Sequence, residues 1–222
     1  MLHRPALTAL AAALTVTAAL AQADTSPAPS LAGMAPPAAS VLPDDGFALI
    51  AEKNGVKVYR REKRPGIELA AEGNIAASPE RIRRVLIDYP HHPAWQKHLK
   101  ENRVLAHGDG FLDVYQRLDL PVLDDRDFTL HVTWGDEGPL AWMRFVAAND
   151  RGPAPVRGVV RVTQHEGGWR LEPVEGGRST HAVYRFYLDL AGSFPAWMGK
   201  GQAANDLPEL FANITKQLPG YP

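Results

Sequence analysis

The chain of 222 residues carries 24 Lys and Arg against 25 Asp and Glu, a formal net charge of −1, and contains no cysteine. This balance offers no basic excess for nucleic acid and no polybasic cluster for capture by anionic lipid, while the missing cysteines exclude a disulfide framework and an acylated anchor. Stability has to come from a buried core, for which a 45% hydrophobic composition provides the material.

At the start, Met1 to Pro5 carries the single charge of Arg4, and Ala6 to Leu20 is an apolar run. That run is ~15 residues, short of the roughly 20 that span a bilayer as a helix. Ala21-Gln22-Ala23 supplies the small-x-small pattern of a signal-peptidase site. A signal peptide over residues 1–23, cleaved after Ala23, is therefore expected, with a periplasmic or secreted product. Residues 24–43, with Pro27, Pro29, Pro36, Pro37 and Pro43 among Ala and Ser, read as a semi-rigid linker. A folded domain is expected over residues 44–220.

Asp44 or Asp45 is expected to cap a short helix through Ala51, stopped by Asn54-Gly55. Strands are predicted at Val56 to Arg61 and Glu68 to Ile75. Ser78-Pro79 marks a helix entry, because Ser accepts a bond from a free amide and Pro fits the first helical position. Ile82, Val85, Leu86 and Tyr89 then recur at helical spacing opposite Arg81, Arg83 and Arg84. Asp88 to Trp95, with Pro90 and Pro93, breaks the helix.

Between residues 99 and 190, short alternating stretches recur between glycine-bearing turns: Gly108-Asp109-Gly110, Gly135 to Gly138, Asn149 to Gly152, Glu166-Gly167-Gly168 and Glu175-Gly176-Gly177. The strands so delimited are Phe128 to Trp134, Ala141 to Ala147, Val156 to Thr163, Trp169 to Val174 and Thr180 to Leu190. In the first of them Phe128, Leu130, Val132 and Trp134 alternate with Thr129, His131 and Thr133, the pattern of an antiparallel sheet covered on one face. From Pro195 the period becomes helical, with Ala203, Leu207, Leu210, Phe211, Ile214 and Leu218 on one stripe and Pro208 expected to kink or restart the helix. The fold class is α+β: a curved antiparallel sheet of seven or more strands wrapped on a long C-terminal helix.

Three stretches resemble START domains, the lipid-transfer domains related to the steroidogenic acute regulatory protein. Arg126-Asp127-Phe128 is similar to that family's RDF element. Val156 to Val162 (VRGVVRV) with Gly167 to Pro173 (GGWRLEP) looks like its "VR, turn, hydrophobic-x-Pro" hairpin. Tyr184 to Trp197 (YRFYLDLAGSFPAW) is similar to the strand ending in D-x-x-G-x-x-P-x-W before the closing helix, and Trp95 matches a Trp after the family's second helix. The resemblance spans roughly Asp44 to Leu218. It implies a helix-grip fold with a lipid-sized tunnel, lined here by Phe128, Leu130, Val132, Phe145, Arg161, Tyr184, Phe186, Leu207, Leu210 and Phe211. One departure is that the cavity Arg of cholesterol-binding members falls on Val132.

No GxSxG, HExxH or GxxxxGK[ST] pattern occurs, so no catalytic residue, metal or cofactor is assigned. His91, His92 and His98 with Asp88 read as a surface turn rather than a metal site, and Ser179 with His181 lacks an orienting acid. Arg126 and Asp127 are expected to pair structurally, since buried charges persist only when paired. The expected function is binding and transfer of a lipid or other hydrophobic small molecule, with transient membrane contact and no nucleic acid. Ala191-Gly192-Ser193 offers a hinge, with Phe194 and Trp197 at the helix entrance as gate or membrane contact. The alternative is a cyclase- or aromatase-like enzyme using His131 or Asp113.

Overall fold

The structure is a computed structural model, describing residues 46–222 apart from 64, 121–122 and 192–195, and only the backbone of 196–202. The expected signal peptide, linker and Asp44/Asp45 cap lie outside the described residues, as do Gly192 and Phe194.

The first element corrects a sequence expectation. Residues 48–53 form a strand, β1 (Ala48–Lys53), and not the end of a helix. Asn54 and Gly55 take φ values of +54° and +75°, the backbone of a two-residue hairpin turn whose twist suits antiparallel strands. Lys53 accordingly faces Val56 across the turn into β2 (Val56–Lys63), which pairs in turn with β3 (Gly66–Ile75).

The chain then leaves the sheet through α1 (Pro79–Ile87). Ser78 caps it by accepting from the Arg81 amide, and Pro79, Ile82, Val85 and Leu86 are buried, as the periodicity required. After a 3-10 segment over Tyr89–Ala94, the chain meanders back as β4 (Leu99–Gly108), β5 (Phe111–Leu118), β6 (Arg126–Glu137), β7 (Leu140–Ala147), the two-residue β8 (Val160–Arg161), β9 (Gln164–Val174) and β10 (Ser179–Asp189). The sheet order is β1-β2-β3-β10-β9-β7-β6-β5-β4, with β8 beside β6. All pairings are antiparallel except β6 with β8.

The closing helix α2 (Ala196–Gln217) runs through Pro208 as one element. Ala203, Leu207, Phe211 and Ile214 are buried on its apolar stripe. It packs on β1, β2 and β3, while α1 packs on β7 and β9, so two helices share the concave face. At the chain end, Arg81 donates to the Leu218 carbonyl at 2.8 Å and to that of Tyr221, and Arg84 donates to the Pro222 carbonyl at 2.7 Å. Arg81 and Arg84, opposite the apolar face of α1, thus fasten the C-terminus over it, while Arg83 donates to the Gly135 carbonyl at 3.0 Å.

Two further expectations change. Gly167 and Gly168 lie inside β9 and do not form a turn. A Cβ on Gly167 would come within 2.7 Å of the Phe145 ring and 2.6 Å of Phe186 Cβ, so the glycine makes room for aromatic packing. Second, of the predicted strand at 156–163 only Val160–Arg161 pairs, beside the part of β6 that β7 no longer covers. The loop leading to it, residues 148–159, meets the outward side chains of β5 and β6, with Arg151 reaching Asp113 Oδ1 at 3.1 Å and His131 Nδ1 at 2.7 Å. Asn149 pins it, accepting from the Thr129 amide at 2.9 Å and donating to the Val162 carbonyl at 2.8 Å. Thr129, expected to face water, is fully buried.

Candidate functional site: a neutral cavity behind the closing helix

Side chains on the concave face alternate strictly with those on the outer face, because successive residues of a strand point to opposite sides. On β6 the inward set is Phe128, Leu130 and Val132; on β7 it is Met143 and Phe145; on β9, His165, Trp169 and Leu171; on β10, Tyr184 and Phe186. These form an aromatic wall. Trp169 stacks on Tyr184 with centroids 4.5 Å apart, Tyr184 lies 5.1 Å from Phe186, and the His165 ring meets Phe128 at 4.9 Å and Phe145 at 5.0 Å, both edge-on. Phe211 of α2 approaches Trp169 at 5.3 Å. Such offset and edge-to-face contacts add stability beyond area burial.

The wall does not close completely. A cavity of about 170 Å³ is bounded by Leu86, Tyr89, His92, Gln96, Leu99, Gln116, Leu118, Phe128, Leu130, Met143, Phe145, His165, Trp169, Tyr184 and Leu210, with Lys97 at its rim. A second hollow, about 190 Å³, shares Gln96, Lys97, Tyr184 and Leu210 with the first. It lies between residues 95–98 and Asp206, Leu207, Glu209, Leu210 and Asn213 of α2. The two lie in series, from the aromatic wall to the gap beside the closing helix. Across that gap Lys97 Nζ reaches Glu209 Oε2 at 2.5 Å, and Asn213 Nδ2 donates to the Trp95 carbonyl at 3.0 Å.

Of the residues expected to contact a ligand, Phe128, Leu130, Phe145, Tyr184 and Leu210 line the inner cavity, and Tyr184, Phe186, Leu207 and Leu210 line the outer one. Val132 and Phe211 are buried in the core and line neither. Arg161 stands on the opposite side of the sheet. Its guanidinium grips Asp127 through two bonds, 2.7 Å to Oδ1 and 2.9 Å to Oδ2, and the Tyr115 hydroxyl donates to the same carboxylate at 3.1 Å. That ion pair raises the guanidinium pKa further. Arg161 therefore ties the 148–162 segment to β6 and does not face the cavity. Trp197 belongs to the first turn of α2.

His131 and Asp113, the acid-base candidates, are also outward: His131 Nδ1 lies 2.6 Å from Asp113 Oδ1, and Arg151 reaches the same carboxylate at 3.1 Å. Arg126 points inward but is turned onto the backbone, donating to the carbonyls of Asp124 and Leu190. His91, His92 and His98 diverge: His91 pairs with Asp88, His92 is buried, and His98 contacts the Asp119 carbonyl. No metal-ligating group of three forms among the described residues.

Sequence reasoning missed His92, Gln96, Gln116 and His165. His92 Nε2 donates to the Val85 carbonyl at 3.2 Å and its Nδ1 meets Gln96 Nε2 at 3.1 Å. Burial lowers its pKa to about 4, so the ring is neutral. Burial likewise pushes His165 down to about 3. The signal for His165 was its parity with Trp169 and Leu171, hidden by the two glycines read as a turn.

An open antiparallel sheet gripping a C-terminal helix, with an apolar cavity between them, defines a START-like helix-grip domain. A fragment of the STAR-related lipid transfer protein from Xanthomonas axonopodis superposes with a TM-score of 0.70 at 23% identity, covering 79% of this chain and 99% of that one. Human StAR-related lipid transfer protein 5 superposes at 0.69 with 20% identity, covering 79% of this chain and 87% of that one. In sequence, a Pseudomonas aeruginosa protein described as uncharacterized is 26% identical over 164 residues, 72% of this chain and 80% of the relative. No protein-family model matches the chain. The fold implied by the sequence motifs is thus the fold of the molecule.

Proposed function

We propose that this protein binds a hydrophobic lipid-like molecule in the cavity behind α2 and transfers it between membranes of the bacterial cell envelope. The observation that carries the reading is the continuous apolar and aromatic wall from Phe128 to Tyr184, left unfilled by the protein's own side chains and opening beside the closing helix. Ligand pockets of this kind are mostly apolar with a few placed polar groups, and burial of ligand surface at about 25 cal/mol per Å² is the driving force. The similarity to lipid-transfer domains supports the same ligand class. The outward pairing of His131 with Asp113 removes the acid-base residues on which a cyclase-like reading rested.

At about 170 Å³ the inner cavity is smaller than the ~300–1,000 Å³ of common ligand sites, so entry requires α2 or the segment before it to move. Gly192, Phe194 and Trp197 are proposed as hinge and gate, in contact with the membrane during exchange. The leader-like residues 1–23 support an envelope location.

The test is to purify the protein from its native host, extract it and identify co-purifying lipids by mass spectrometry, alongside the intact mass. A stoichiometric hydrophobic ligand on a chain beginning at Asp24 is expected. A ligand-free protein that takes up no lipid from vesicles, or a chain beginning at Met1, would refute the binding or the export part respectively. Trp197→Ala is expected to slow vesicle-to-vesicle transfer of a fluorescent lipid more than it weakens equilibrium binding; equal losses in the two assays would remove Trp197 from the gate.

A further inference from the structure

The cavity wall carries an electrostatic feature that goes beyond hydrophobic binding and narrows the ligand's chemistry. The inner cavity meets one charged side chain, Lys97, and that ammonium sits at the exposed rim, engaged by Glu209. Asp206, at the outer hollow, has its carboxyl pushed up by burial. Deeper in, every lining residue is apolar or neutral. The buried guanidinium of Arg126, on the same face as Phe128, is turned onto two backbone carbonyls and does not line the cavity.

Some of the neutral groups are engaged by the protein: His92 between the Val85 carbonyl and Gln96, and Gln116 with Asn102 Oδ1 at 3.3 Å. Tyr89, Tyr184 and His165 line the cavity with their polar atoms tied by no ion pair, and His165 Nδ1 is sealed from solvent with no hydrogen-bond partner among the described residues. Burial raises both tyrosines well above the usual phenol range and lowers His165, so all three stay uncharged. Buried hydrogen-bonding groups normally have partners, which makes these three the natural receptors for a polar atom of the ligand.

We propose that Tyr89, Tyr184 and His165 form a neutral polar anchor selecting an uncharged hydrophobic molecule with a hydroxyl or carbonyl group, and that the cavity discriminates against carboxylates and phosphates. A hydroxyl or carbonyl can exchange bonds with phenol and imidazole without any buried charge. An anion drawn into the cavity loses its hydration and finds no cation on the deep wall. The inference rests on the cavity being a ligand site, and the experiment separates the two ideas.

Displacement of Nile red from the full chain is measured with 1-decanol, sodium decanoate at pH 8 and decane, for the wild type, the single variants Tyr184→Phe and His165→Phe, and the triple variant that adds Tyr89→Phe. The wild type is expected to bind decanol at least tenfold more tightly than decanoate and several-fold more tightly than decane. The preference over decane should shrink in each single variant and vanish in the triple one, while decane affinity persists. Should the triple variant fail to fold, the two single variants carry the test. Decanoate binding as tightly as decanol, or an unchanged alcohol preference in the variants, overturns the anchor while leaving a hydrophobic site. Failure of the wild type to take up Nile red or decane removes the ligand site itself, and the anchor with it.

Discussion

The two faces of β6 are both buried, by opposite means. Inward, Phe128, Leu130 and Val132 join an aromatic wall around a space that the protein leaves unfilled, edged by neutral polar groups. Outward, Asp127 and Thr129 lie under the 148–162 segment, where every charge near them is matched: Asp127 by Arg161 and Tyr115, and Asp113 by His131 and Arg151. The difference separates structural charge from functional neutrality. On this sheet the ionic residues that look chemically active hold a covering loop, and the groups that the proposed ligand would meet are the uncharged ones on the other side.

Replacing one member of the outer ion pair is the harshest way to test that division. Asp127 is 0% exposed and Arg161 supplies its bidentate partner, so Arg161→Ala leaves a buried carboxylate without its cation. Loss of one partner of a buried pair costs about 3–5 kcal/mol. Urea unfolding should show a loss of that size, while the fraction that remains folded binds hydrophobic ligand with unchanged affinity. Reduced affinity in the folded fraction would mean that Arg161 serves the cavity after all.

On the inner side the helix stripe distinguishes packing from lining. Phe211 is core and touches Trp169, whereas Leu210 is half-buried and borders both hollows. Phe211→Ala should destabilise the domain by about 3–5 kcal/mol. Leu210→Ala should cost less in thermal unfolding and more in ligand affinity, relative to Phe211→Ala. The reverse order would place the cavity elsewhere on α2.

How much of this was legible beforehand follows the same division. Period-2 and period-3.6 patterns located α1, α2 and the inward residues of β6, β7 and β10, because one covered face leaves an alternation in the sequence. The outer cover was only partly legible: Asn149 to Gly152 read correctly as a turn, but the strand expected from Val156 pairs only at Val160–Arg161, and the hold of the rest on the sheet runs through single side chains such as Asn149. Glycine was the other obstacle. Asn54-Gly55 read as a helix stop and Gly167-Gly168 as a turn, yet the first joins two strands and the second lets β9 pass close to Phe145 and Phe186. Misplacing the second pair hid His165, the residue on which the neutral character of the wall most depends.

That neutrality predicts a pH response. His92 has a folded pKa of about 4, below its unfolded value near 6.5. Its contribution to stability is therefore fully present above pH 6.5 and is lost progressively as pH falls from 6.5 towards 4, since the unfolded chain then binds a proton that the folded one refuses. The loss at pH 5 relative to pH 7.5 is about 2 kcal/mol from this residue. Denaturant titrations at the two pH values should show it, and His92→Gln should flatten that part of the profile even if it lowers stability overall. An unaltered slope in the variant would assign the pH dependence to other groups.

The smallest expected effect on stability sits at the mouth, where the two kinds of chemistry meet. Lys97 and Glu209 are both exposed, and their contact bridges the gap beside α2. Exposed ion pairs contribute little to folding, because water and salt screen them and two long side chains must be ordered. Glu209→Gln should accordingly leave the unfolding midpoint where it is. Its position nevertheless sets it across the entry route proposed for the ligand, so weakening the contact should raise ligand association and dissociation rates together and leave the equilibrium constant nearly unchanged. High salt should reproduce that acceleration in the wild type and add nothing in the variant. If Glu209→Gln instead changes affinity without changing rates, the pair shapes the bound state, and the passage into the cavity lies at another edge of the helix.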